Sequence, residues 1–204
     1  MRLEVRPIDL ALENEEFIRF HWQIYGTDER WVPPLLWERR QFLDPAKNPY
    51  FQSADVQAFM AYRDGEPVGT IAATVDHRLQ KLEPGVGLFG FFEFVEDEIV
   101  ARALLQRAMD WLQAAGMQEL RGPCNFNLNH ESGLLVDGFE HDPVVLTTYN
   151  PPYYESIYRS IGLQPIQDLY GWWIEPTAVP QRIQTIASRV TERHPSLTLR
   201  PLNL

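Results

Sequence analysis

Glu93 lies in the run Phe89-Gly90-Phe91-Phe92-Glu93-Phe94, a carboxylate bracketed by aromatic rings. Desolvation by such neighbours raises a carboxyl pKa toward neutrality, the property a general base needs near pH 7. On an alternating strand the same residue also reads as an ordinary surface carboxylate. Further along, Asn125, Asn127, Asn129, His130 and Glu131 form a polar cluster after a short strand, where sites tend to be built. Their amide and imidazole groups can orient an amine or a carbonyl, and asparagine equally serves turns and caps. Tyr149, Tyr153 and Tyr154 place three phenols around Asn150-Pro151-Pro152, enough to line an acceptor pocket or to face a partner. Asn150 itself reads as a helix cap, with proline in the first turn. A metal reading of His130, Glu131 and His141 lacks the second histidine of a His-Glu-x-x-His helix, because position 134 is leucine; no metal is expected. The single cysteine, Cys124, excludes an internal disulfide and a thiolate cluster, and beside Pro123 it reads as a small packed residue.

These residues must be held by elements that the pattern announces. Residues 3–8 alternate as a strand, and a helical pattern rich in aromatics runs over 12–25. Residues 26–53 are broken by Pro33, Pro34, Pro45 and Pro49, leaving room for one short helix over 35–42. Trp31, Trp37, Phe42, Tyr50 and Phe51 make that segment an acceptor-binding flap or a hydrophobic clamp. Period two then takes over in 56–63 and 67–76, joined by Asp64-Gly65, which supplies positive φ cheaply and predicts a hairpin. Residues 85–94 add an aromatic strand. Residues 96–115 carry Val100, Leu104, Ala108 and Trp111 at helical spacing, with Gly116 as the stop. Short strands are expected at 119–122 and 144–148, a helix at 152–161 stopped by Gly162, and a last strand at 166–174. The mixture implies an α/β fold with a mixed, mostly antiparallel sheet covered by helices on both faces.

The chain has 204 residues, 45% apolar and 23% charged, ordinary values for one compact domain with an appendage. Its 28 acidic residues against 18 basic ones give a formal charge of -10, which repels phosphate backbones and excludes nucleic acid as the expected partner. No apolar run approaches the ~20 residues a membrane span needs, and the amino terminus lacks the apolar core of a secretory signal. A cytoplasmic protein is expected. RLEVRPIDL at 2–10 aligns without gaps with SLTLRPLNL at 196–204, with identity at Leu3/Leu197, Arg6/Arg200, Pro7/Pro201 and Leu10/Leu204. A first-strand register begins again as the chain ends, which predicts a domain over 1–176, a helix and linker over 177–195, and the first strand of a second half over 196–204. An ordinary terminal strand is the plainer alternative.

The element order, together with Tyr158 and Gly162 in the segment YYESIYRSIGL (153–163), resembles the GNAT superfamily of acyl-CoA-dependent N-acyltransferases, with Leu163 where an aromatic is usual. The runs WVPPL (31–35), LDPAKNPYF (43–51), FGFFEF (89–94), GPCNFNLNHESGLLVDGF (122–139) and YNPPYY (149–154) are similar to a bacterial group of GNAT-like proteins. Members of that group often carry a second GNAT-like half.

The resemblance implies transfer of an acyl group from acetyl-CoA or another acyl-CoA to a small-molecule amine. In that scheme Glu93, directly or through water, removes the amine proton, a strand N–H polarises the thioester carbonyl and Tyr158 protonates the leaving thiolate. Phe94 and Val95 stand at the cofactor position, and Asn127, Asn129, His130, Glu131, Tyr149, Asn150 and Tyr153 face the acceptor. Where the family holds the CoA pyrophosphate on a glycine-rich loop, this chain has no glycine between Phe94 and Arg102 and places Glu96, Asp97 and Glu98 in the first turn. Such charges stabilise a helix start and repel a pyrophosphate, so the loop is degenerate. The rival is a noncatalytic GNAT-fold lobe that pairs with a second GNAT-like domain or forms a homodimer. An aminoacyl-tRNA donor is opposed by the net charge.

Overall fold

The computed structural model describes residues 2–12, 14–172, 179–196, 198 and 200. They fall into two compact units, residues 1–166 and 167–204. The first contains β1 (Leu3–Ile8), α1 (Asn14–Tyr25), α2 (Leu36–Leu43), a 3-10 turn at Pro49–Gln52, β2 (Ala54–Arg63), β3 (Glu66–Asp76), the four-residue α3 (Leu79–Leu82), β4 (Val86–Phe94), α4 (Glu98–Ala114), β5 (Glu119–Arg121) and α5 (Tyr153–Ser160). The second contains α6 (Gln181–Arg193), whose Ile183, Ile186 and Val190 form a half-exposed apolar stripe.

The five strands form one sheet in the order β1-β2-β3-β4-β5, antiparallel throughout except for the parallel pair β4–β5. The β2–β3 hairpin closes on Asp64 and Gly65 at φ +51° and +96°, the paired left-handed conformation its sequence calls for. α4 starts at Asp97, whose carboxylate accepts the Ile99 amide at 2.8 Å, and it buries Val100, Ala101, Leu104, Leu105, Ala108 and Leu112 as one stripe. That stripe and α5 cover one face of the sheet over Phe59, Ala61, Ile71, Ala73, Phe89, Phe92 and Phe94. α1 and α2 cover the other face, where Phe17, Ile18, Phe20 and Leu43 pack on Ala58, Met60, Tyr62, Ala72 and Phe91. Burial of each such large apolar side chain contributes ~1.5 to 3 kcal/mol.

β4 is not a regular strand. Thr70 pairs with Glu93 but Ala72 pairs with Gly90, so β4 carries one residue more than β3 over this stretch. The surplus is absorbed at Phe91, which lies at φ +48°. Its N–H leaves the ladder to donate to Asn125 Oδ1 at 2.7 Å, while its carbonyl accepts Thr70 Oγ1–H at 2.8 Å. This is a β-bulge, and it changes the phase of the strand. Phe89, Phe92 and Phe94 all join the α4–α5 face, whereas Phe91 joins the α1–α2 face.

Two expected strands do not form among the described residues. Residues 144–148 form a turn in which the Val144 amide donates to Thr147 Oγ1 and the Thr147 amide to the Val144 carbonyl, with Leu146 at φ +64°. Apolar content there does not report a strand, because Val144, Val145 and Leu146 are exposed. Residues 166–172 are likewise unpaired, with Ile166, Leu169, Tyr170 and Trp172 exposed; 173 and 174 lie outside the described residues. The repeat at 196–204 falls largely outside them too. Among the described residues no helix is long and apolar enough to cross a membrane.

Candidate active site

β4 and β5 pair only through Val86–Leu88 and Glu119–Arg121. Beyond that the chain after β5 stays on β4 through single contacts, the Cys124 amide to the Phe89 carbonyl and Asn125 to Phe91. The approach depends on Gly90, where a Cβ would fall 1.9 Å from the Cys124 carbonyl oxygen. Past this point a cavity of about 700 Å³ opens, bounded by β4, α1, the 31–39 segment, the 123–134 loop, the 143–150 segment and α5.

Glu93 lines it. Tyr25 and Tyr154 both donate their hydroxyls to Oε2, at 2.6 and 2.7 Å, leaving Oε1 toward His21 Nε2 at 3.7 Å. Burial pushes the Glu93 carboxyl up to about 7, the two phenols pull against it, and the charge of Glu131 adds to the rise. Glu93 therefore exchanges its proton near neutrality, through the oxygen the tyrosines leave free. The same burial acts on the phenols: Tyr25, Tyr154 and Tyr158 are held protonated well above the usual tyrosine range. His21 is pushed down to about 4 by burial and by the charge of Arg39, so it is neutral at pH 7 and its approach to Glu93 is no ion pair. Its Nδ1 lies 3.1 Å from the Ile18 carbonyl, an acceptor only, so Nδ1 carries the proton and Nε2 presents a lone pair.

A second polar group stands on the same cavity. Arg39 donates from Nη2 to Glu131 Oε1 at 2.9 Å, and Asn125 Nδ2 donates to Glu131 Oε2 at 3.0 Å. Burial opposes ionisation of Glu131, but Arg39 and Asn125 outweigh it and hold the carboxyl below its ordinary value.

The residues singled out by sequence are dispersed differently. Glu93, Tyr158, Glu131, Tyr149 and Asn150 line the cavity. Tyr158 packs among Phe89, Phe92 and Phe94, and among the described residues its hydroxyl finds no hydrogen-bond partner. Tyr149 donates to Asp28 at 2.6 Å. Asn150 is not the cap of α5, whose N-cap position is held by Pro152. Its amide instead clamps Leu135, accepting the N–H at 2.7 Å and donating to the carbonyl at 3.1 Å. Asn127 and Asn129 form a local turn, the Asn129 amide donating to Asn127 Oδ1. His130 stands edge-on to Phe42 and Tyr50, and Tyr153 donates to the Phe94 carbonyl at 2.6 Å; these four do not line the cavity. Among the described residues no three His, Cys, Asp or Glu side chains converge as a metal site.

Phe94 and Val95 do not line it either. The Phe94 amide donates to Tyr154 Oη at 3.0 Å and the Val95 amide to the Val68 carbonyl at 3.1 Å. At the start of α4 the Asp97 side chain occupies the Ile99 amide and pairs with Arg63, and Glu98 pairs with Arg102. These residues do not suit a pyrophosphate at this helix start: the Ile99 amide is taken by the Asp97 side chain and the side chains nearest the first turn are anionic.

Sequence reasoning missed His21, Tyr25, Arg39 and the role of Tyr154. Ile18, His21 and Tyr25 follow helical spacing and so share the cavity face of α1, a signal present in the sequence once that face is known to look at β4. Arg39 carried no such signal.

No protein-family model matches the chain. It is 35% identical over 193 residues to "Bacterial ceramide synthase" of Caulobacter vibrioides, covering 94% of this chain and 50% of that protein. It is 34% identical over 185 residues to "Protein YghO" of Escherichia coli K12, covering 87% of this chain and 47% of that one. The chain thus spans about half the length of the curated relatives it matches. Among solved structures, a predicted acetyltransferase with acetyl-CoA from Clostridium acetobutylicum superposes with a TM-score of 0.52 at 10% identity, over 84% of this chain and 96% of that one. An aminoglycoside acetyltransferase from an uncultured soil sample, in complex with trehalose, gives 0.51 at 10% identity, over 85% and 95%. The chain has a GNAT-like fold, the fold it shares with these solved structures.

Proposed function

We propose that this chain catalyses transfer of an acyl group from acyl-CoA to a primary amine carried on a long apolar chain. The observation that carries the reading is Glu93: a carboxyl at the wall of a cavity, tuned to about 7 and pinned through one oxygen by two tyrosines. Glu93 Oε1 accepts the amine proton as nitrogen bonds to the thioester carbonyl carbon. The C–S bond then breaks, and the Tyr158 hydroxyl is the candidate donor to the thiolate. His21 Nε2 offers the incoming amine a hydrogen-bond acceptor beside Glu93. The thioester end of the donor belongs in this cavity; its pyrophosphate has no prepared place at α4, and no step depends on one there.

Two features support a lipophilic acceptor. One relative is named a ceramide synthase, and a ceramide is the amide of a long-chain amine. The cavity mouth carries Val32, Leu35, Val144, Val145 and Leu146, all largely exposed, in keeping with an alkyl chain lying across it. The closed start of α4 favours a second reading, a noncatalytic lobe that pairs with another domain.

The test is direct: incubate the purified chain with acyl-CoA and a panel of amines, and follow amide formation by mass spectrometry. Acylation that Glu93→Gln lowers by ~100- to 10,000-fold is the expected result. Amide formation that survives in Glu93→Gln overturns the assignment of the base. Absence of product from every acceptor, in a chain shown to be folded, favours the lobe.

A further inference from the structure

We infer that the mouth of the cavity docks on a lipid bilayer, an inference that rests on the acyl-transfer reading above and names the surface from which its acceptor enters. Two apolar lips border the cavity that holds Glu93. One is the 144–146 turn, where Val145 is 91% exposed and Val144 and Leu146 are at least 60% exposed. The other is Val32-Pro33-Pro34-Leu35, whose valine and leucine are exposed to a similar degree. Single exposed apolar residues are ordinary, but a cluster held around one opening marks an interaction surface. Both lips are held. The Val144 amide donates to Thr147 Oγ1 at 2.9 Å, and the Thr147 hydroxyl donates back to the Val144 carbonyl at 2.7 Å. Leu146 sits at φ +64°, a conformation that costs a leucine energy and is spent here on keeping apolar side chains outward. Adjacent prolines stiffen the other lip.

The opening between the lips decides what covers them. A protein seated on both would cork the mouth through which the acceptor must pass. A bilayer covers the lips and presents, at the same mouth, an amine whose alkyl chain stays dissolved among the lipid tails. Attachment is peripheral: the lips enter the headgroup region, and among the described residues no helix is long and apolar enough to cross. Charge decides the kind of bilayer. At a formal charge of -10, with Glu38 also lining the cavity, the chain gains nothing from anionic headgroups. Affinity therefore comes from apolar insertion, and a zwitterionic surface suits it best.

The test is flotation of the purified chain with phosphatidylcholine vesicles, with and without a share of phosphatidylglycerol. Wild type is expected to float with the zwitterionic vesicles, no better with the anionic ones, and equally well at about 0.1 and about 1 M salt. Val145→Glu and Leu35→Glu each charge one lip at an exposed position, where the core is not disturbed. Each is expected to lower the partition by ~10- to 100-fold, the size of one large apolar side chain withdrawn from lipid. Leu82→Glu, at a residue just as exposed that does not line the cavity, is expected to float like wild type. Wild type that stays in solution, binding that needs phosphatidylglycerol and fails in salt, or a loss at Leu82 equal to that at Val145 overturns the docking. So does a wild-type dimer that Val145→Glu splits, which assigns the lips to a second copy. Acylation of a short, water-soluble amine reads the other claim by itself. A chain that acylates it and never floats keeps acyl transfer and loses the docking; one that floats and acylates no amine upholds the docking surface and loses acyl transfer.

Discussion

Glu93 and Asp97 are four positions apart at the end of β4 and the start of α4, and both lose solvation. They end on opposite sides of the ordinary carboxylate range. At Glu93 burial wins, because its hydrogen-bond partners are two neutral phenols, and the carboxyl rises to about 7. At Asp97 burial also disfavours charge, but the Arg63 guanidinium and the Ile99 amide outweigh it and the carboxyl falls. Depth of burial and the charge of the partner act together: Glu93 is the more deeply buried and meets only neutral phenols, whereas Asp97 lies nearer the surface and meets a guanidinium. In the proposed reaction the first carboxylate is the base, while the second caps α4 through the Ile99 amide.

The strongest way to break this contrast is Glu93→Gln, through the pH dependence of folding as well as through turnover. Because the folded pKa is raised from 4.5 to about 7, the unfolded chain releases this proton first. Glu93 favours the folded state below about pH 4.5, and that contribution is lost as pH rises through 7, by about 3 kcal/mol. Denaturant titrations at pH 5 and pH 8 should show most of this loss in wild type and its absence in Glu93→Gln. Identical slopes in the two proteins would show that Glu93 is not perturbed.

Tyr25→Phe and Tyr154→Phe sharpen the comparison, since each deletes a hydrogen bond that favours the carboxylate. The acidic limb of the pH–rate profile is expected to move upward by roughly one to two units in either variant, the equivalent of ~1.5 to 3 kcal/mol. An unmoved limb would detach the tyrosines from the base. The smallest effect belongs to Asp97→Ala, which removes a cap and costs ~0.5 to 2 kcal/mol in thermal or denaturant unfolding. Its sign with pH is opposite to that of Glu93: the Asp97 contribution is present above the unfolded value of 3.8 and fades as pH falls through its lowered folded pKa.

Much of the scaffold was legible in the sequence, because its signals are local. Asp64-Gly65 announces the hairpin, the Val100–Leu104–Ala108 spacing announces α4, and both are present. The aromatic bracket around Glu93 is not what buries it: Phe92 and Phe94 join the α4–α5 face, and the groups against the carboxyl are Tyr25 and Tyr154, distant in sequence. Legibility failed where apolar residues serve the surface: Val144, Val145 and Leu146 read as a strand but rim a cavity. It failed again where partners are distant in sequence. Nothing near Arg39 says that it will meet Glu131, and Asn150 follows a cap pattern while its amide is spent on Leu135.

The bulge at Phe91 gives β4 a parity. With strict alternation Glu93 would fall on the side of Phe89, beneath α4 and α5; the extra residue puts it with Phe91, on the side of His21 and Tyr25. The carboxylate is therefore encoded by a count as much as by an identity. Deleting one residue between Gly90 and Phe92 keeps every functional side chain in the sequence and still sends the base to the wrong side of the sheet. Substitutions explore what the group at position 93 is, whereas only an insertion or deletion explores which room it stands in.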